Sequence, residues 1–164
     1  MYNIDIEREV NDMKEQWIWL DMDGTFVDLY GVKGWCDDLQ ALNPRPYEVA
    51  KNLYDLVEFV LVLNDLKQKG YKLGIISWCA KAKNPIFDEQ IKKAKVDWLV
   101  KNCIYDFIDK VLITQYGINK AESCKPFGSG ILVDDEERNR NDWTLGNTIN
   151  ASNRNLIEDL RALL

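Results

Sequence analysis

The 164-residue chain contains no histidine, and this absence removes several kinds of chemistry at once. Serine–histidine triads, general acid–base catalysis by imidazole and histidine-ligated metal sites are all excluded within it. The four cysteines are Cys36, Cys79, Cys103 and Cys124. They include no C-x-x-C pair, which argues against a zinc site or a thioredoxin-type redox site. Catalysis would therefore depend on carboxylates, lysine, hydroxyl groups or thiols.

Acidic residues outnumber basic ones, and long apolar runs are lacking. The chain has 21 Lys and Arg against 27 Asp and Glu, a formal net charge of −6. Such a chain is a poor candidate for binding the nucleic-acid backbone or an anionic membrane. No apolar run reaches the length that spans a bilayer, and the polar start MYNIDIEREVNDMKEQ does not resemble a signal peptide. We therefore expect a cytoplasmic protein with free thiols and no membrane partner.

What the chain does contain is an alternation of short apolar strands and amphipathic helices. Strands are predicted at residues 17–20, 71–77, 110–114 and 131–133. Helices are predicted over residues 47–69, 86–103 and 153–164, and residues 1–15 are predicted to form an arm or a short helix. This order favours an α/β fold, with a three-layer, Rossmann-like parallel sheet and helices on both faces. The length suits a single domain over residues 1–164.

The predicted core has one sizeable insert, at residues 26–46. Glycine and proline residues mark turns there, and Trp35, Leu39 and Leu42 share one face of a possible short helix. An insert of about twenty residues falls below the roughly 40 that usually support an independent fold, so we expect a flap or minimal cap. The aromatic residues Phe26, Tyr30 and Trp35 either stack on a ring of a ligand or belong to the core.

Acidic residues follow two of the predicted strands. Asp21 and Asp23, in DMDGT, come directly after the first strand, and Asp134 and Asp135 follow the strand at 131–133. Ligands of parallel sheets bind outside the carboxyl ends of the strands. Each acidic pair alone could be a solvated turn. Gathered at one edge, however, the carboxylates would repel one another unless a cation held them, and hard oxygen ligands suit Mg²⁺.

Three further polar residues lie near this predicted edge. Ser77 ends the second strand, where its hydroxyl could donate to a phosphoryl oxygen, although a lone serine there is more often a strand cap. Lys120 in YGINK and Lys125 in CKPFG both lie between the third and fourth strands. A lysine directed at the site would offset the acidic charge and bind phosphate as a point charge. Either lysine taken alone is more often a surface residue.

DMDGT, Ser77, an intervening lysine and the DD after ILV occur in the order of the four motifs of the haloacid dehalogenase (HAD) superfamily. The resemblance runs from about Trp17 to Trp143. The stretches DLYGVKGW, IISWCAKAKN, YGINK and ILVDDEERNRNDW resemble a group of phage and bacterial HAD-like phosphatases, and there is a wider resemblance to 5′-nucleotidases. The resemblance implies a HAD-like hydrolase that acts on phosphoric monoesters. It also implies a phosphorylated small molecule as substrate, with a nucleotide as one candidate and a nucleic-acid end not favoured.

The resemblance also implies roles for the four aspartates. Asp21 would be the nucleophile that becomes phosphorylated, and Asp23 would protonate the leaving oxygen and then deprotonate the attacking water. Mg²⁺ would be held by the Asp21 carboxylate, the Asp23 backbone carbonyl and Asp134, with Asp135 close by. An acid at position 23 favours phosphoryl transfer to water over dehalogenation, because the dehalogenases of this superfamily lack that second aspartate.

Ser77 and a lysine would bind the phosphoryl oxygens. Lys120 is favoured because it lies where a helix would begin, and Lys125 is the alternative because it lies nearer the DD pair. A phosphotransferase would use the same residues. A receiver-type signalling module is disfavoured. In such a module an acidic pair follows the first strand and the phospho-acceptor aspartate follows a later one, whereas here a D-x-D motif comes first and a DD pair comes last. A catalytically silent HAD-like binding protein would not need Asp23.

Overall fold

A parallel β-sheet forms the centre of the part of the chain that the computed structural model describes, residues 16–164. The predicted arm or helix of residues 1–15 lies outside these residues. The strands are β1 (Trp17–Leu20), β2 (Val27–Asp28), β3 (Lys51–Asn52), β4 (Lys72–Trp78), β5 (Lys110–Thr114), β6 (Gly130–Asp134) and β7 (Thr148–Asn150). Five of them form the main sheet in the order β5-β4-β1-β6-β7, with every pairing parallel, and β2 pairs with β3 antiparallel.

Helices cover both faces of the main sheet. They are α1 (Trp35–Gln40), α2 (Arg45–Val49), α3 (Leu56–Lys69), α4 (Pro85–Lys101), α5 (Lys120–Cys124), α6 (Glu137–Asn141) and α7 (Leu156–Arg161). Short 3₁₀ turns occupy Tyr105–Phe107, Lys125–Phe127 and Ala151–Asn153. The α/β, Rossmann-like fold expected from the sequence is therefore present.

The strand β1 shows how the two faces are built. Successive side chains of a strand point to opposite faces of the sheet. Ile18 and Leu20 pack in the larger core with α3 and α7, whereas Trp17 and Trp19 pack on the other face with α5. The rings of Trp17 and Trp19 are stacked, with centroids 4.8 Å apart. Gly74, the partner of Trp19 in β4, leaves room for this ring, because a Cβ at that position would lie 2.3 Å from it.

The helix predicted over residues 47–69 begins only at Leu56, so the first part of that prediction was wrong. The carboxylate of Asp55 accepts a hydrogen bond from the backbone N–H of Glu58 and caps α3 at this point. The preceding residues form α2 and β3 instead, and β3 pairs with β2. The insert after β1 therefore extends beyond residue 46, to the end of this small sheet. Its role as a cap within a single domain stays a prediction.

The other predicted elements differ from the structure mainly at their ends. The strand predicted at residues 110–114 coincides with β5, and the C-terminal helix is shorter than predicted because a 3₁₀ turn precedes α7. The edge strand β7 was not predicted. Among the described residues, no helix combines the length and the apolar character needed to span a membrane.

Candidate active site

A tight turn after β1 directs the first acidic motif to the carboxyl edge of the sheet. The backbone N–H groups of Thr25, Phe26 and Val27 all donate to the carbonyl oxygen of Met22. Gly24 adopts a φ of +77°, and a Cβ there would lie 2.3 Å from a carboxylate oxygen of Asp135. Glycine is therefore required both by the backbone conformation and by the close approach of the second acidic motif.

Three of the predicted carboxylates meet at this edge. Asp21, Asp134 and Asp135 each place an oxygen within 4.8 Å of the others. Burial, together with the nearby charge of Asp21, raises the pKa of Asp134 to about 6 and that of Asp135 to about 7. The Oδ1 atom of Asp135 is buried and has no hydrogen-bond partner among the described residues. The three carboxylates offer hard oxygen ligands and repel one another, and Oδ1 of Asp135 has an unused acceptor. These properties fit a site for a divalent cation such as Mg²⁺.

Lys120 is the lysine that lies beside these carboxylates. Its Nζ atom is 2.8 Å from Oδ1 of Asp21 and 2.6 Å from Oδ2 of Asp134. Burial opposes the charged form of this side chain, but the two carboxylates outweigh it and raise the pKa of Lys120. The side chain of Asn119 caps α5, so that the helix begins at Lys120, as expected. Lys125 is exposed and belongs to the following 3₁₀ turn.

Asp23 faces a different cation, which the sequence analysis did not identify. Its Oδ2 atom is 2.6 Å from Nζ of Lys95, a residue of α4 whose side chain is 1% exposed. Burial raises the pKa of the Asp23 carboxyl, while the Lys95 charge acts in the opposite direction. The side chain of Asp23 is thus outside the three-carboxylate group. The ligand expected from this residue is its backbone carbonyl, which stays a prediction.

Ser77 contacts the same lysine. Its Oγ atom lies 2.8 Å from Nζ of Lys95, and the residue is fully buried at the end of β4. Ser77 is not among the residues that line the adjoining cavity. Its expected contact with phosphoryl oxygens stays a prediction, whereas its contact with Lys95 is observed.

A cavity of about 580 Å³ opens beside the carboxylates. Asp21, Asp23 and Lys120 contribute to its lining, together with aromatic residues from two parts of the chain. The insert supplies Tyr30, Trp35 and Tyr47, and the edge formed by β4 and the loop after β5 supplies Trp78 and Tyr116. This volume lies in the range of small-molecule sites, roughly 300–1,000 Å³.

Of the three aromatic residues considered in the insert, one belongs to the core and two line the cavity. Phe26 is buried in the core, where its ring lies 5.1 Å from that of Phe59 and 5.9 Å from that of Trp98. Tyr30 and Trp35 line the cavity, in edge contact with centroids 5.1 Å apart.

Comparison with known proteins does not identify a family. No family model matches the sequence, and no curated protein matches it. Among solved structures, the chain is similar to the D,D-heptose 1,7-bisphosphate phosphatase of Burkholderia thailandensis. The two share 13% sequence identity and a TM-score of 0.47, over 77% of this chain and 70% of that one. A similarity of this size assigns neither a family nor an activity.

Proposed function

We propose that this protein is a Mg²⁺-dependent phosphohydrolase that cleaves phosphomonoesters through a phosphorylated Asp21. One observation carries the proposal: Asp21 and Asp23 line a single cavity, with Lys120 bonded to the first and Lys95 bonded to the second. Two carboxylates with different partners suit two different chemical tasks, nucleophilic attack and proton transfer. The order of the motifs along the chain, which resembles that of the HAD superfamily, supports the same assignment.

The carboxylates of Asp21 and Asp134, with Asp135 beside them and the backbone carbonyl of Asp23, would hold the cation. When bound, Mg²⁺ would offset the repulsion between an anionic phosphate and a carboxylate nucleophile. The oxygen ligands are already gathered, since the three carboxylates lie within 4.8 Å of one another. Little reorganisation of the protein would then be needed to bind the ion.

The first half-reaction transfers the phosphoryl group to the protein. A carboxylate oxygen of Asp21 attacks phosphorus, and the bond between phosphorus and the ester oxygen breaks. Asp23 gives its proton to the leaving oxygen, so that an alcohol departs and an acyl phosphate remains on Asp21. A raised pKa at Asp23 favours its protonated form, which this step requires.

The second half-reaction returns the protein to its starting state. Asp23, now a carboxylate, takes a proton from a water molecule while the water oxygen attacks phosphorus. The bond between phosphorus and the Asp21 oxygen breaks, which releases inorganic phosphate and restores both aspartates.

Lys120 is the proposed contact for the transferring phosphoryl group. An ammonium has three N–H donors, and in the described residues two of them are used, by Asp21 and Asp134. The remaining donor can reach a ligand because Lys120 lines the cavity. We propose Ser77 as a further donor to the phosphoryl group.

We further propose that the leaving group carries a planar ring, as a nucleoside monophosphate does. Its base would lie among the aromatic side chains of the cavity, since aromatic residues stack on bases of any sequence. The cavity is larger than a phosphate needs, and Trp78 is held in place by a 2.8 Å hydrogen bond from its Nε1 to the carbonyl of Ile118.

Hydrolysis of 4-nitrophenyl phosphate tests the proposed activity. We expect release of phosphate in the presence of Mg²⁺ and its loss after treatment with EDTA, with recovery when Mg²⁺ is restored. Adding an alcohol as acceptor distinguishes a hydrolase from a phosphotransferase, because only the latter makes the new ester in excess over free phosphate. Full activity in EDTA would contradict the metal dependence, and no turnover of any phosphomonoester would contradict the proposed function.

A further inference from the structure

Lys95 is a buried cation that the proposed reaction does not yet use. Its Nζ atom lies 2.6 Å from Oδ2 of Asp23, 2.8 Å from Oγ of Ser77 and 2.8 Å from the carbonyl oxygen of Trp78. The ring of Tyr47 lies on another side, with its centroid 4.9 Å from Nζ. The ammonium is thus enclosed by the turn after β1, the end of β4 and the helix α2 of the insert.

The donors of this ammonium are fully occupied. Lysine has three N–H donors and no acceptor, and each donor here has a protein partner. Lys95 is not among the residues that line the cavity. It therefore differs from Lys120, which lines the cavity and has one donor left. Because no donor of its ammonium is free for a ligand, Lys95 is placed to act on Asp23.

The other two partners of Lys95 hold it against the sheet. Ser77 and Trp78 are consecutive residues at the end of the inner strand β4, and the residue Lys95 itself belongs to a 17-residue helix. A side chain held in this way confines the Asp23 carboxyl to one position. Positioning of this kind matters because a displacement of about 1 Å at a reacting group can cost about 100-fold in rate.

We propose that Lys95 is the positioning residue for the acid–base carboxyl of Asp23, an inference that rests on the proposed phosphohydrolase function. Lys95 holds Asp23 where its proton passes to the leaving ester oxygen, and where the same carboxylate then takes a proton from water. Lys95 itself neither gains nor loses a proton in either half-reaction. Ser77 contributes by anchoring Lys95, through a contact separate from the one proposed for it with phosphate.

Substrates that differ in their leaving group distinguish a positioning role of Lys95 from a general structural effect of its loss. Phenyl phosphate and 4-nitrophenyl phosphate present similar rings, but the phenolate is the poorer leaving group and depends more on a proton from Asp23. Because kcat/KM reports the steps up to departure of the alcohol, it is measured for both substrates. The ratio of kcat/KM for 4-nitrophenyl phosphate to kcat/KM for phenyl phosphate is then compared among four proteins. These are the wild type, Lys95→Met, Asp23→Asn and the surface control Lys93→Met. Lys93 is on the same helix and pairs with Asp97 on the exposed surface.

We expect Lys95→Met to lower kcat/KM for phenyl phosphate by about 100-fold, with a loss for 4-nitrophenyl phosphate at least about tenfold smaller. Its effect should fall on kcat, with KM nearly unchanged, because Lys95 does not touch the substrate. Asp23→Asn should shift the ratio in the same direction, and Lys93→Met should match wild type. Equal losses on both substrates for Lys95→Met would overturn the proposal, since a merely structural residue would affect both alike.

A double variant covers the case in which Lys95→Met does not fold, because that change leaves the buried Asp23 carboxyl without its partner. In Asp23→Asn/Lys95→Met that carboxyl is gone. If Lys95 acts through Asp23, this variant should retain the kcat/KM of Asp23→Asn alone, within about twofold. A further loss of tenfold or more would overturn the proposal. If wild type hydrolyses neither substrate, it is the proposed function that fails; an active wild type with an unchanged substrate ratio in Lys95→Met rejects the positioning role alone.

Discussion

The Nζ atom of Lys120 lies 2.8 Å from Oδ1 of Asp21, across 99 positions of sequence. The same ammonium bonds Asp134, so one buried cation joins the carboxyl ends of β1 and β6. Since burial by itself would favour the neutral amine, the two carboxylates are what hold Lys120 in its charged form. The nucleophile proposed here and its cationic partner are therefore already in contact before any substrate binds.

Lys120→Ala should raise KM and lower kcat for 4-nitrophenyl phosphate, because the proposed contact with the phosphoryl group exists in both the ground state and the transition state. The change should also destabilise the fold by about 3–5 kcal/mol, since it leaves two buried carboxylates without their cation. Steady-state kinetics and urea unfolding measure the two effects. The matched control is Lys125→Ala, which removes an exposed lysine and should behave as wild type. The reverse pattern would assign the phosphate contact to Lys125.

Mg²⁺ should raise the melting temperature of the protein. In the proposed site the ion would bind the folded arrangement of Asp21, Asp134 and Asp135, and at a concentration of 100 Kd such binding stabilises a protein by about 2.7 kcal/mol. Differential scanning fluorimetry over a series of Mg²⁺ concentrations measures the shift. Na⁺ at matched ionic strength is the control, and an equal shift with Na⁺ would rule out a specific divalent site.

Asp135→Asn should change both the stability of the metal-free protein and the response of its melting temperature to Mg²⁺. Without added metal it should be more stable than wild type, because it removes one of three mutually repelling carboxylates. Its melting temperature should then respond less to Mg²⁺, because the site has lost a charge. Asp106→Asn, at an exposed position, is the control for loss of a carboxylate elsewhere. A variant with lower metal-free stability and an unchanged Mg²⁺ response would show that Asp135 is outside the cation site.

A nucleoside 5′-monophosphate should be a better substrate than ribose 5-phosphate. The two present the same phosphoester, and only the first has a base to stack in the cavity. Base–aromatic stacking is worth about 1–3 kcal/mol, so we expect kcat/KM to differ by about 5- to 150-fold. Phosphoglycolate, which has no ring, should also be poor. A preference for phosphoglycolate over the nucleotide would contradict the proposed substrate class.

Trp35→Ala should reduce that preference for the nucleotide while leaving ribose 5-phosphate nearly unaffected. Trp35 lines the cavity and its ring packs against that of Tyr30, so its loss should act on the base alone. Tyr105→Ala, which removes an exposed ring away from the cavity, is the control. If Trp35→Ala lowered kcat/KM for both substrates equally, the base would not be bound by this residue.

The sequence allowed the sheet and the acidic residues to be predicted for a simple physical reason. Buried parallel strands are short apolar runs, and polar residues that follow them directly must meet at one edge, as Asp21 and Asp134 do. The edge strand β7 was missed because Thr148–Asn150 is short and largely polar, and so lacks that apolar signal. The early part of the 47–69 helix was mispredicted because helical spacing alone does not reveal a cap such as Asp55.

The sequence pattern indicated that Lys95 lies on a buried helix face, but it could not indicate which residue Lys95 contacts. Ile91, Lys95 and Trp98 fall at helical spacing on one face of α4, so a lysine in an otherwise buried stripe was visible in the sequence. Its partner was not, because Asp23 is 72 positions away and only the fold brings the two side chains together. The choice between Lys120 and Lys125 as the neighbour of the carboxylates was likewise decided by the fold.

The most direct test of the account is to trap the phosphorylated residue. The protein is mixed with Mg²⁺ and 4-nitrophenyl phosphate, quenched in acid and reduced with borohydride, which converts an aspartyl phosphate to homoserine. Peptide mass spectrometry then locates the reduced residue. We predict homoserine at position 21 in the wild type and none in Asp21→Asn, which should be folded and inactive. Turnover without any reduced residue, or reduction at an aspartate other than Asp21, would contradict the proposed mechanism.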